Sequence, residues 1–181
     1  MKALIYLSKI VLTYIFTISL SLNSAFVNTN DTEIYFNGIL NMIPEEHLEI
    51  LEDAGWDIVL TNQNLALTYV YNVPIAGITD YSIKTIYIYN TRHSIYRAVI
   101  HEVGHVLAYE LGNIDETDEF IRIYNDEKNN FTDFTKPWST HCIVNEDEYF
   151  ASVYHDMILD YDRTLEDVPL SVEYIEEYLG F

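Results

Sequence analysis

The stretch "RAVIHEVGHVLAYE", residues 97–110, places two histidines and a glutamate inside a run that otherwise reads as an apolar helix. From Thr91 onward Ile95, Val99, Val103, Val106, Leu107 and Leu111 recur at helical steps, and Gly112 supplies a stop. The apolar residues fix the helix, and the helix fixes where its polar side chains point. His101 and His105 lie one turn apart on one face, so their imidazoles can converge on a single metal ion while Glu102 projects beside them.

That arrangement has a chemistry. Two imidazole nitrogens with open positions suit zinc, which polarises a carbonyl and brings the pKa of a bound water to near seven. A neighbouring carboxylate such as Glu102 can take the proton from that water and return it to a leaving amine. The bland alternative is a helix that happens to carry two histidines; the pentad "HEVGH" outweighs it because it falls in a long amphipathic helix that follows a small sheet.

The sheet is read from β-branched and aromatic runs broken by Asn, Pro, Gly and Asp: residues 56–61 (WDIVLT), 67–73 (LTYVYNV), 75–79 (IAGIT) and 85–90 (TIYIYN). An amphipathic helix over 44–55 precedes it, with Pro44 at its start and Gly55 at its end. Helices are predicted downstream at 116–128, 146–160 and 172–179, with a loop over 129–144. The class is α+β, and a length of 181 residues suits one domain with a proper core.

The first 25 residues differ in kind: Lys2 and Lys9 precede the acid-free apolar run "IVLTYIFTISLSL", and Ser24 and Ala25 provide a cleavage point. This is the pattern of a secretory signal, with an uncleaved anchor as the alternative. A polar lead-in at 26–32 and a single domain over 33–181 follow. The formal charge is -20, and losing two lysines and no acid with the signal takes it to -22. So acidic a surface repels nucleic acid and anionic lipid; it serves solubility outside the cell, with attraction of cationic peptide substrates as the alternative reading. Neither nucleic acid nor, after signal removal, a membrane is an expected partner, and the mature domain is expected to be a monomer. One cysteine, Cys142, rules out an internal disulfide.

Two histidines under-hold a catalytic zinc, so a third ligand is needed. The segment "NEDEYFA", residues 145–151, offers Glu146, Asp147 and Glu148 at the head of the next helix, and Glu146 and Glu148 are nearly equal candidates on physical grounds. "IHEVGH" followed by "NEDEYFA", with "AGWDIVLT" and "GITDYSIKTIYIYN" upstream, resembles the catalytic domain of the anthrax toxin lethal factor family, which includes the secreted Pro-Pro endopeptidases. The resemblance implies a zincin-like fold and a secreted metalloendopeptidase that holds one zinc ion through His101, His105 and Glu148, with Glu102 as general base. It also implies an extended peptide or protein substrate lying along an edge strand, here residues 76–79, and it leaves Glu146 as a helix-start acid favoured by the macrodipole. The sequence does not choose between Pro-rich and basic substrates.

Two positions depart from the family pattern. Seven residues before its glutamate ligand the family usually carries a tyrosine facing the metal; this chain has His141. A protonated imidazole can donate to a developing oxyanion, which makes His141 a candidate catalytic residue. The other readings of His141 are an extra ligand or an idle loop residue. Four residues after Glu148 the family tends to have a glutamate, where this chain has Ser152. The contact that orients a zinc histidine is then expected from Asp156 or a backbone carbonyl.

His155 reads as an exposed or packing residue, His47 and His93 as surface residues, and Cys142 as a lone thiol. The 16 tyrosines read as sheet paving. Trp138, in the 129–144 loop, is a candidate cleft wall. The alternative function is a non-catalytic, secreted toxin-component or protein-binding domain of the same superfamily.

Overall fold

The motif helix is buried on nearly every side, and the rest of the fold is arranged to enclose it. In the computed structural model, which describes residues 29–69, 75–133 and 141–181, this helix is α4 (Arg92–Glu110). Thr91 caps it by accepting from the Ser94 amide, and Gly112 leaves it at φ 93°, a conformation that favours glycine. Ile95, Val99, Ile100, Val103, Val106 and Leu107 are wholly buried.

Ahead of α4 stand α1 (Thr29–Leu40), α2 (Glu45–Ala54), β1 (Asp57–Thr61), α3 (Leu65–Thr68), β2 (Gly77–Asp80) and β3 (Thr85–Tyr89). The sheet has order β1-β3-β2, with β1 parallel and β2 antiparallel to β3, so β2 is an edge. Ile86 and Ile88 alternate into the core from the central strand. After α4 come a 3-10 turn (Ile114–Glu116), α5 (Asp118–Glu127), a second 3-10 turn (His141–Ile143), α6 (Glu146–Leu159), α7 (Tyr161–Asp167) and α8 (Pro169–Leu179). Residues 34–181 form one compact unit of class α+β.

Glycines set two close approaches. A Cβ on Gly77 would lie 2.8 Å from Ala98 Cβ and 3.0 Å from Glu102 Cγ, so only glycine lets β2 lie this tightly on α4. A Cβ on Gly104 would lie 3.0 Å from Ala151 Cα, which is how α4 and α6 come together on the opposite side. The glycine of "HEVGH" is therefore a packing residue. At the C-terminal end, buried Glu127 accepts from the amides of Leu170 and Ser171 and from the Ser171 hydroxyl, satisfying the first turn of α8 from another helix.

Several expectations are corrected. The lead-in to the domain is helical from Thr29. The strand expected over 67–73 begins inside α3, because Asn64 caps a helical turn by accepting from the Leu67 amide; residues 70–74 lie outside the described residues. Helix α7 is additional, capped by Asp160. His47 is not on the surface: it is 1% exposed, with Nδ1 2.9 Å from the Tyr154 hydroxyl and Nε2 3.3 Å from the Leu179 and Gly180 carbonyls. Tyr149, Tyr154 and Tyr174 are buried on helices rather than paving the sheet. The signal region and Trp138 lie outside the described residues, among which no helix is long and apolar enough to cross a membrane.

Candidate active site

Helix α6 begins at Asn145, whose side chain accepts from the Glu148 amide at 3.1 Å, so the Asn of "NEDEYFA" is an N-cap and the three acids after it fill the first turn. Of those acids, Asp147 and Glu148 line a cleft shared with α4 and β2. Glu148 Oε2 lies 3.2 Å from His101 Nε2, and Glu148 Oε1 lies 3.8 Å from His105 Nε2. The two imidazoles stand edge to face with centroids 4.8 Å apart. One ligand atom from each of His101, His105 and Glu148 falls within 4.8 Å of the others, so the three could hold a metal ion together.

The donor set fits a cation better than it fits itself. Glu148 Oε2 is buried and, although imidazole nitrogens approach it, no hydrogen bond satisfies it. Lone-pair donors that converge without hydrogen-bond directionality, two imidazoles and a carboxylate, are what zinc takes. Burial raises the Glu148 carboxyl, but the His101 and His141 imidazoles outweigh that and hold it well below the usual carboxylate range. Burial, aided by His101, lowers His105 to about 3, which keeps its ring neutral and its lone pair available. For His101 burial acts downward, and Glu148 and Glu102 turn the net shift upward.

Glu102 stands beside this group, 9% exposed, its carboxyl raised by burial. Thr79 Oγ1 donates to Glu102 Oε2 at 2.8 Å, so the edge strand itself orients the carboxylate. Gly77 and Thr79 share the face of β2 that meets α4. Ala76 accepts from the Tyr89 amide, so by the antiparallel alternation the backbone groups of Gly77 and Thr79 point to the unpaired side of the strand. The cleft, about 660 Å³, runs along that edge.

Residues 68–178 match the family described as anthrax toxin lethal factor, N- and C-terminal domain. The chain belongs to this family. In fold it is similar to the Pro-Pro endopeptidase PPEP-2 from Paenibacillus alvei, with a TM-score of 0.60 over 86% of this chain and 94% of that one at 19% identity. No curated protein matches it by sequence.

The two positions at which the sequence is read as departing from the family pattern both lie at the site. His141, where the family pattern has tyrosine, brings Nδ1 to 3.0 Å from Glu148 Oε2, and that carboxylate, ahead of the opposing effect of burial, raises its pKa. The ring thus lies in the cleft beside the proposed glutamate ligand. Ser152, where the family tends to have glutamate, places Oγ 3.5 Å from His101 Nδ1 and so occupies the orienting position itself. Asp156 instead meets His155 Nδ1 at 2.8 Å, and this pair is buried, so of the two readings of His155 the structure takes the packing one. Cys142 is buried and its thiol is pushed up to about 11 by burial and Asp133. Thr79 and Arg97 also line the cleft. Arg97, four residues before His101, carried a same-face signal; Thr79 carried none, because its contact with Glu102 is tertiary.

Proposed function

We propose that this chain is a secreted zinc endopeptidase in which His101, His105 and Glu148 hold one zinc ion and Glu102 is the general base. The observation that supports it is the convergence of two imidazole nitrogens and a buried, unsatisfied carboxylate oxygen at one point, with Glu102 alongside. When bound there, zinc would polarise a peptide carbonyl and acidify the attacking water.

The chain's own groups do the rest. Glu102, aimed by Thr79, accepts the proton of the attacking water and delivers it to the departing amine nitrogen. Gly77 and Thr79 offer unpaired backbone groups to an extended peptide, which adds to β2 as a further strand and is held with its scissile bond over the site. His141 donates a hydrogen bond to the oxygen of the scissile carbonyl as charge develops on it. Ser152 fixes the ring of His101. Residues 1–25 direct export, and the domain acts on extracellular or host proteins as a monomer.

Cleavage of a peptide library by wild type and Glu102→Ala tests this. Loss of the base is expected to lower the rate at least about a hundredfold. If zinc-loaded wild type cuts nothing, or the variant cuts equally well, the enzyme reading fails and a protein-binding domain remains.

A further inference from the structure

Among the described residues lining the cleft, Arg97 is the only Lys or Arg, in a chain with 9 of these against 29 acids. It stands on α4 one turn before His101, on the same face. Its Nη1 lies 3.1 Å from His93 Nε2, while its Nε is shut off from water and has no hydrogen-bond partner. Folded proteins leave few buried donors in that state. Buried Asp133, on the same wall, offsets part of the guanidinium charge through space without supplying an acceptor for Nε.

The position of Arg97 in the cleft gives this a direction. Gly77 packs on Ala98 and Glu102, Thr79 reaches Glu102, and the ring of Tyr81 meets that of Tyr109 with centroids 4.9 Å apart, so β2 and the turn after it run in the same direction as α4. Arg97 with Ile75 and Ala76 forms one end; Tyr81 and Tyr109 with Asp115 and Asp147 form the other. The Arg97 end holds the one Lys or Arg among the described lining residues, its charge partly offset by Asp133, and the other end holds acids without a Lys or Arg, with the proposed metal ligands between them. Four helical residues from Arg97 to His101 rise about 6 Å, the length of about two residues of extended peptide.

We infer that Arg97 is a specificity anchor for a carboxylate of the substrate, about two residues from the scissile bond. The planar fork of a guanidinium receives a carboxylate through two N–H groups at once, a geometry an ammonium does not reproduce. With Nε buried, the Nη groups are the ones that face a ligand, and they carry N–H donors beyond the one contact with His93. The carboxylate is the side chain of an Asp or Glu within the peptide. This rests on the endopeptidase reading and names the substrate class of that same site.

The test is a hexapeptide-amide library with Glu or Gln at each position in turn, together with the same peptides as free acids. It is read as the ratio of kcat/KM for the Glu and Gln versions within each protein. Wild type is expected to favour Glu at one position by about tenfold, the scale of a charge-assisted hydrogen bond. The ratio should fall to about one in Arg97→Gln, recover in part in Arg97→Lys, and turn toward Lys-bearing peptides in Arg97→Glu, as judged by charge complementarity. If free acids are cut faster than amides while the Glu and Gln versions are cut equally, a terminal carboxylate is the ligand and the assignment to an internal Asp or Glu is overturned.

Because each ratio is internal to one protein, a general loss of folded enzyme does not mimic the result. Polarisation binding of the same fluorescent peptides to zinc-loaded wild type and Arg97→Gln reads the subsite even if no bond is cut, which separates its failure from failure of the endopeptidase reading. An unchanged ratio in Arg97→Gln, or no carboxylate preference in either library or in binding, overturns the assignment.

Discussion

The hydroxyl of Thr79 donates to the carboxylate of Glu102 at 2.8 Å, linking the edge strand to the motif helix across 23 residues of sequence. The strand proposed to bind a peptide and the group proposed to move its proton are thereby held in one register. Gly77, two residues earlier on the same face, makes the contact possible by admitting the helix. Thr79→Val should lower kcat about tenfold, the effect of one lost hydrogen bond of 1–2 kcal/mol, with KM little changed. Thr79→Ser should restore most of the rate; steady-state kinetics of the two variants check this, and a change confined to KM would point to strand binding instead.

Gly104→Ala probes the other side of the same helix. The added methyl would meet the backbone of Ala151 at 3.0 Å and the ring of Tyr154 at 3.1 Å, pushing α6, and Glu148 with it, away from the histidines. Overpacking of about 1–3 kcal/mol exceeds the gain of about 1 kcal/mol in helix propensity, so net destabilisation is expected. Thermal melting and zinc retention on dialysis should fall together.

How much of this was legible in the sequence depends on how local each relationship is. His101 and His105 could be read because helical period alone puts them on one face. Glu148 could be read only as one of two acids until a family resemblance chose it; the structure adds that Asn145 caps the helix and that Glu146 stays out of the cleft. The contact of Ser152 with His101 depends on how closely α4 and α6 approach, which no local pattern encodes. His47 was misread because its hydroxyl partner, Tyr154, is 107 residues away. The helical turn at α3 was missed because β-branched and aromatic residues nearby outweighed the cap at Asn64.

His47 also carries a pH dependence. The Leu179 and Gly180 carbonyls can only accept, so Nε2 bears the proton, and Nδ1 accepts from the Tyr154 hydroxyl in a neutral ring. Burial lowers the pKa of His47 despite the opposing carbonyls and Glu46. Below the unfolded value of about 6.5 the unfolded chain therefore binds more protons, and the stabilisation, complete above that pH, is lost as pH falls through it toward the folded value. Urea midpoints at about pH 7.5 and 5 should differ more for wild type than for His47→Asn. Equal differences would mean that carboxylates alone set the acid sensitivity.

Whether His101, His105 and Glu148 form one metal centre is decided by zinc stoichiometry with chelator competition. One zinc per chain is expected for wild type and for Glu102→Ala, and for Glu148→Ala an affinity lower by at least about a hundredfold, since two imidazoles alone under-hold the ion. Wild type without zinc, or Glu148→Ala binding it as tightly as wild type, would mean that these three residues are not a metal centre.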